Sequence, residues 1–236
     1  MLTFLRSFLS KYLVMRNITI KKSLTMLGAV LVVGCVHVDQ KSLPKDSVAT
    51  LSGKRIDFTE YEKSSFSAMT AGKVMFGLLG VPAMIAAGNQ IVKENNIEDP
   101  SIRISQELTN RLVTQHGMQK AQHRSELAES DDLASLLRNR ADIDFLLDVK
   151  TINWSFTYFP SNWTHYRVLY TARMRLIDTA QQQVVAETLC HTRPVDETNP
   201  PTRDELLSDN AKMLRTFLEK AADDCTSVLS KDFLQL

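Results

Sequence analysis

From Ile143 to Cys190 apolar residues recur at every second position, and a period of two leaves little besides a β-meander for this stretch to form. Tyr166, Val168, Tyr170, Ala172, Met174 and Leu176 alternate with Arg167, Thr171, Arg173 and Arg175. That is the pattern of an antiparallel strand with one face in a core and the other in water. Upstream, Phe145, Leu147 and Val149 share a face, but after Thr151 the apolar residues are Ile152, Trp154, Phe156 and Tyr158, of opposite parity. A bulge, or cover on both faces, accommodates the switch. Asp178 to Gln182 reads as a turn into Val184, Ala186, Thr188 and Cys190, which makes three consecutive strands.

Helical periods flank the meander. Asp99-Pro100 supplies an N-cap and a preorganised first turn; Ile104, Leu108 and Leu112 follow at i, i+4, i+8, and Gly117 is placed to end the helix. Met118 to His123 reads as a candidate edge strand, and Ser130 to Leu133 starts a short helix with Leu133, Leu136 and Leu137 inward. Beyond Asn199-Pro-Pro, Thr202 and Glu205 form a capping box. Leu207, Leu214, Leu218, Ala221 and Cys225 trace the inward stripe of a long last helix lying across the sheet. The expected fold class is α+β: a two-layer sandwich with an antiparallel meander of three main strands plus an edge strand, packed against helices.

Val74 to Gly88 holds no charged residue, three glycines and a proline. Its length suits a buried helix or helical hairpin better than a membrane span, and residues 74–92 are expected to belong to the domain as an apolar helical segment. The alternative is a segment covered by a bilayer or a partner, because such a stretch stays exposed only where something shields it.

The amino-terminal third carries an address. Arg16, Lys21 and Lys22 precede the apolar run Leu24 to Gly34, which is short for a span and suits a signal peptide. The run ends in Val32-Val33-Gly34-Cys35, which resembles the lipobox of bacterial lipoproteins. The resemblance implies cleavage before Cys35 and acylation of its thiol, with palmitate among the acyl chains. Met1 to Val14 fits no part of that signal, so Met15 is a candidate true start. Expected boundaries are therefore 1–34 signal peptide, 35–53 lipidated cysteine and flexible tether, and 54–236 a single periplasmic domain. In lipoproteins an aspartate after the lipidated cysteine tends to retain the protein in the inner membrane; Val36 stands here, which implies the outer membrane, facing the periplasm.

Charge supports export over nucleic-acid binding. The formal charge is +1, but Met1–Cys35 holds five basic residues and no acid, and the remainder carries 23 basic against 27 acidic residues, about −4. With Cys35 lipidated, Cys190 and Cys225 are the two cysteines left. A disulfide between them would staple the last helix to the third strand and stabilise it by loop closure; two buried free thiols are the alternative.

His123 to Leu127, Ala141 to Val149 and Tyr166 to Ala180 resemble stretches of the amino-terminal domain of TolB and of the curli-secretion (CsgG-like) lipoproteins. The resemblance implies an α/β unit opening with a short strand ending near a phenylalanine, a place Lys54–Phe58 can fill. Pore formation is not implied, since no pair of alternating membrane hairpins is present.

No catalytic residues, metal or cofactor are expected. His37, His116, His123, His165 and His191 are scattered without metal-ligand spacing, and nucleophile-elbow, phosphate-loop and dinucleotide motifs are missing. Asp142, Asp144 and Asp148 read as solvated or capping groups. Two features are candidates for partner binding: the row Arg167, Arg173 and Arg175, otherwise the solvent face of a sheet, and the cluster Trp154, Phe156, Tyr158, Phe159 and Trp163 around Pro160-Ser-Asn162, otherwise a hairpin-end minicore. Function is expected to be that of a non-catalytic accessory or adaptor of a bacterial envelope complex, held to the membrane by its lipid. An envelope glycan-binding protein or hydrolase is the alternative.

Overall fold

A computed structural model describes residues 38–236. The expected signal peptide and the expected lipidation site Cys35 lie outside the described residues. The elements are α1 (Lys45–Val48), β1 (Arg55–Phe58), β2 (Glu60–Tyr61), β3 (Ser67–Met69), α2 (Ala71–Val74), α3 (Gly80–Glu94) and α4 (Pro100–His116). They continue with β4 (Gln119–Lys120), β5 (Leu127–Ala128), α5 (Leu133–Leu136), β6 (Phe145–Phe159), β7 (Asn162–Asp178), β8 (Gln183–Thr192) and α6 (Arg203–Val228). The fold is α+β, one sheet packed against helices with a long helix near the carboxyl end.

The meander is the sheet's spine. β6, β7 and β8 pair antiparallel in sequence order. The other edge of β6 is shared by two short parallel strands, β1 opposite Phe145–Leu147 and β3 opposite Ser155–Thr157, and β4 pairs parallel beyond β1. The parity switch in β6 is a bulge: the β6–β7 register slips between Thr151 and Asn153. Ile152 takes the extra position and faces water, so Phe145, Leu147, Val149, Trp154 and Phe156 all enter the same core.

α4 and α6 cover that face. Asp99 caps α4 by accepting from the Ser101 amide, and Gly117 closes it with φ +67°, a left-handed position suited to glycine. Ile104, Leu108 and Leu112 are fully buried, each contributing about 1.5–3 kcal/mol by removal from water. The Thr202–Glu205 capping box starts α6. The α6 stripe differs from expectation at its start, because Asp209, Asn210 and Ala211 take left-handed φ values that break the helical phase. Leu206 is buried in place of Leu207, which is only half-buried.

Two expectations need correction. The tether assigned to residues 35–53 is shorter on its described side. Lys41 exchanges both backbone hydrogen bonds with Glu187 of β8, and Leu43 and Leu51 are buried in the main core, which satisfies backbone groups and apolar side chains that a free tether would expose. The Val74–Gly88 segment is not a buried hairpin either. α3 stands on the sheet by a thin stripe of Gly80, Met84, Gly88 and Val92, and a Cβ on Gly88 would lie 2.0 Å from the Phe66 carbonyl oxygen, so only glycine permits that approach. The preceding turn projects outward: Met75, Phe76, Leu78 and Leu79 are 80%, 71%, 90% and 85% exposed. Among the described residues no helix is long and apolar enough to cross a membrane.

Cys190 and Cys225 are joined with a Cα–Cα distance of 5.6 Å, linking β8 to α6 across 35 residues. Loop closure of that length contributes about 4 kcal/mol. We expect reductant to lower the urea midpoint of the purified protein by a corresponding amount. Native, unreduced protein should show no alkylatable thiol at either position.

Candidate functional site

The sheet's second face is where the polar residues gather. A roof formed by residues 121–142, including β5 and α5, lies over one half of it and rests on a small apolar core of Leu136, Ile143, Leu146 and Ile177. β2 pairs with β5, which ties the roof to the segment after β1.

Under the roof stands Asp148, whose residue is 0% exposed. Antiparallel pairing sets Arg175 directly opposite it on β7, and Arg173 is the next residue on the same face. Asp148 Oδ2 accepts from Arg175 Nε at 2.8 Å and Arg173 Nη2 at 3.3 Å; Oδ1 accepts from the Thr59 hydroxyl at 2.8 Å and from the Tyr61 phenol. The roof returns a second carboxylate: Asp131 Oδ2 lies 2.9 Å from Arg173 Nη2 and 3.2 Å from Lys150 Nζ. Burial pushes Asp131 upward, yet Lys150 and Arg173 hold it below the usual carboxylate range. The Lys150 ammonium also sits 5.2 Å from the centre of the Tyr61 ring.

A second cluster abuts the first. Buried Asp57 meets His123 Nδ1 at 2.8 Å and accepts from Arg140 Nη1 at 2.6 Å, while His123 Nε2 faces Glu60 Oε1 at 3.2 Å. The His123 ring stacks on Phe58 with centroids 4.0 Å apart. Farther out, Arg124, paired with Asp142, joins Arg138 and Arg140 around a polar hollow of about 240 Å³ that also exposes Glu126 and Glu129.

These groups are matched to one another. Both ring nitrogens of His123 meet carboxylates, and Asp148 accepts at both oxygens. What the arrangement does chemically is clamp the roof to the sheet through charge. Among the described residues, no group of three or more His, Cys, Asp or Glu side chains converges as a metal ion would require.

The structure does not bring the eight expected partner-binding residues to one surface. Trp154 and Phe156 are fully buried, because the bulge turns them into the main core; Trp154 Nε1 donates to the Ser64 carbonyl at 2.9 Å. Tyr158 is half-buried against that core. Arg173 and Arg175 are buried in the clamp, because the roof covers a face that the alternation alone would give to solvent. Arg167 is half-buried over the Phe159 ring at 5.3 Å. Trp163 alone of the eight is exposed, with Nε1 donating to the Pro160 carbonyl. Of the three acids read as solvated or capping, Asp144 does accept from the Arg55 amide at 2.8 Å and Asp142 pairs at the surface, but Asp148 is wholly buried.

Sequence reasoning missed Asp57, Tyr61, His123, Asp131 and Asp148 as one network. One signal was available: an aspartate amid Phe145-Leu-Leu and Val149 is costly unless paired, and Arg175 falls opposite it once the hairpin is registered.

No family model matches the chain, and no curated protein matches it in sequence. Solved structures with similarity include a PelC dodecamer from Paraburkholderia phytofirmans, 13% identical over 79% of this chain and 96% of that one, TM-score 0.32. Lipoprotein GNA1162 from Neisseria meningitidis is 11% identical over 72% and 99%, TM-score 0.25. Protein XCC0632 from Xanthomonas campestris is 9% identical over 81% and 92%, TM-score 0.35. At these scores none of them carries a role to this chain.

Two variants probe the clamp. Asp148→Asn leaves two guanidiniums buried without their carboxylate and is expected to destabilise the protein by about 3–5 kcal/mol in urea unfolding. The second test concerns alkali. Burial, then the Asp148 carboxylate, raises the Tyr61 phenol, and burial with Asp99 raises Tyr170. The fold keeps both protonated while the unfolded chain ionises them near pH ~10, so their contribution is complete below that value and is lost as pH rises above it. The expected loss approaches about 1.4 kcal/mol per pH unit for each phenol, and Tyr61→Phe removes one of the two slopes.

Proposed function

We propose that this chain is a lipid-anchored accessory protein of the bacterial cell envelope, exported, acylated on Cys35, and acting through binding rather than catalysis. The observation that carries the reading is the Cys190–Cys225 bond, in a chain whose apolar leader ends in Gly34-Cys35. Disulfides persist in oxidising compartments, and the leader is the signal that would deliver the chain to one. Val36 after the cysteine favours the outer membrane, facing the periplasm.

The non-catalytic part of the proposal is supported by the pairing within the charged face. Its acids, arginines and histidine neutralise and hydrogen-bond one another, which suits a rigid body that presents surfaces to an envelope partner. The alternative of a glycan-binding protein or hydrolase has the polar hollow in its favour, but Arg124 and Arg140 there already hold Asp142 and Asp57. The TolB-like or CsgG-like affinity remains part of this proposal and rests on the sequence stretches alone.

Radiolabelled palmitate should enter the wild-type polypeptide in cells and should not enter Cys35→Ser; an unlabelled wild type would overturn the anchor. Crosslinking in intact cells should give a discrete adduct with another envelope protein. A chain that stays monomeric and uncrosslinked, or one that turns over cell-wall fragments when purified, would count against the accessory role.

A further inference from the structure

The outward turn before α3 takes no part in the charged clamp. Met75, Phe76, Leu78 and Leu79 expose between 71% and 90% of their surface in consecutive chain, and Val74 and Val81 extend the patch. A contiguous apolar surface of this kind marks a contact with protein or membrane. Two glycines fix its geometry. Gly77 turns the chain at φ +54°, and a Cβ on Gly80 would lie 2.0 Å from the Lys73 carbonyl oxygen, so the turn folds tightly back on itself.

Three observations choose the occupant. The first is charge: from Lys63 to Lys93 the chain contains three lysines and no acid, and Lys73, at the base of the turn, lies close enough to Arg203 for their charges to interact. The second is position. β3 runs parallel to β6 and leaves the sheet opposite Thr157, beside the β6–β7 hairpin that carries exposed Trp163. At Lys41 the chain runs antiparallel to β8, so residues 38–40 lie toward the Thr192 end of β8, the same end of the sheet. The third is shape. The patch is one short protruding turn, not a flat face, and a protruding turn of large apolar side chains suits wedging between headgroups and acyl chains.

We propose that Met75–Val81 is a second membrane contact, a wedge that enters an anionic bilayer surface while Lys73 and Arg203 meet the headgroups. The inference rests on the reading of the chain as an envelope lipoprotein, with the acyl group on Cys35 and this turn engaging the same membrane.

The test uses the mature chain carrying Cys35→Ser, which has no acyl anchor, and flotation with vesicles of phosphatidylethanolamine and phosphatidylglycerol. The protein is expected to float, more weakly with pure phosphatidylcholine or at high salt. Adding Phe76→Ser, Leu78→Ser and Leu79→Ser should lower the bound fraction at least about ten-fold while circular dichroism stays unchanged, since these side chains contribute little to a core. No flotation, or equal flotation of the multiple variant, overturns the proposal. So does a concentration-dependent dimer that the same substitutions abolish in a protein that ignores vesicles, since the occupant would then be a second copy. Palmitate labelling of the wild type separates the two claims. Label without flotation sinks the wedge alone, and flotation without label sinks the lipid anchor alone.

Discussion

A carboxylate with no exposed surface sits in the middle of the sheet, and most of the second face is arranged around it. Burying the Asp148 carboxyl in an apolar strand costs its hydration, and that loss is offset only if several donors converge on it. Arg175 reaches it because β6 and β7 pair in one register; Arg173, Thr59 and Tyr61 fill the remaining directions. The two arginines in turn need a further anion, which the roof provides as Asp131. One buried carboxyl group thereby ties strand register, β2 and the irregular roof together.

Much of the fold was legible before the structure. The parity change in β6 announced a bulge, the Asp99-Pro100 start and Gly117 stop of α4 are present, and the Thr202–Glu205 box begins the last helix. What escaped was short or depended on partners elsewhere in the chain. β3 has three residues and pairs parallel, so no local pattern distinguishes it from loop, whereas β4 lies within the edge strand expected at Met118 to His123. The left-handed residues Asp209 to Ala211 shift the inward phase of α6, and nothing in a helical period anticipates a break there.

The polar face was legible only in part. Alternation correctly set Arg173 and Arg175 opposite the main core but could not reveal that a segment between α4 and β6 folds back over them. The same rule misled for the aromatic cluster, where a single extra residue at Ile152 decides which side Trp154 and Phe156 occupy. His123 gave no metal-ligand spacing, and its partners Asp57 and Glu60 lie more than sixty residues upstream on other elements.

The pairing of Lys41 with Glu187 bears on how such a chain avoids joining its neighbours. β8 ends the sheet, and the outer rim of a terminal strand offers unpaired amides and carbonyls to any passing chain. Lys41 occupies that rim with two backbone bonds and sends its ammonium to the Val184 carbonyl at 2.9 Å. A chain trimmed to start at Lys54, where the apolar pattern begins, would lose this guard and leave β8 open to intermolecular strand addition. The stretch that leads away from the body thus also keeps its rim from becoming sticky.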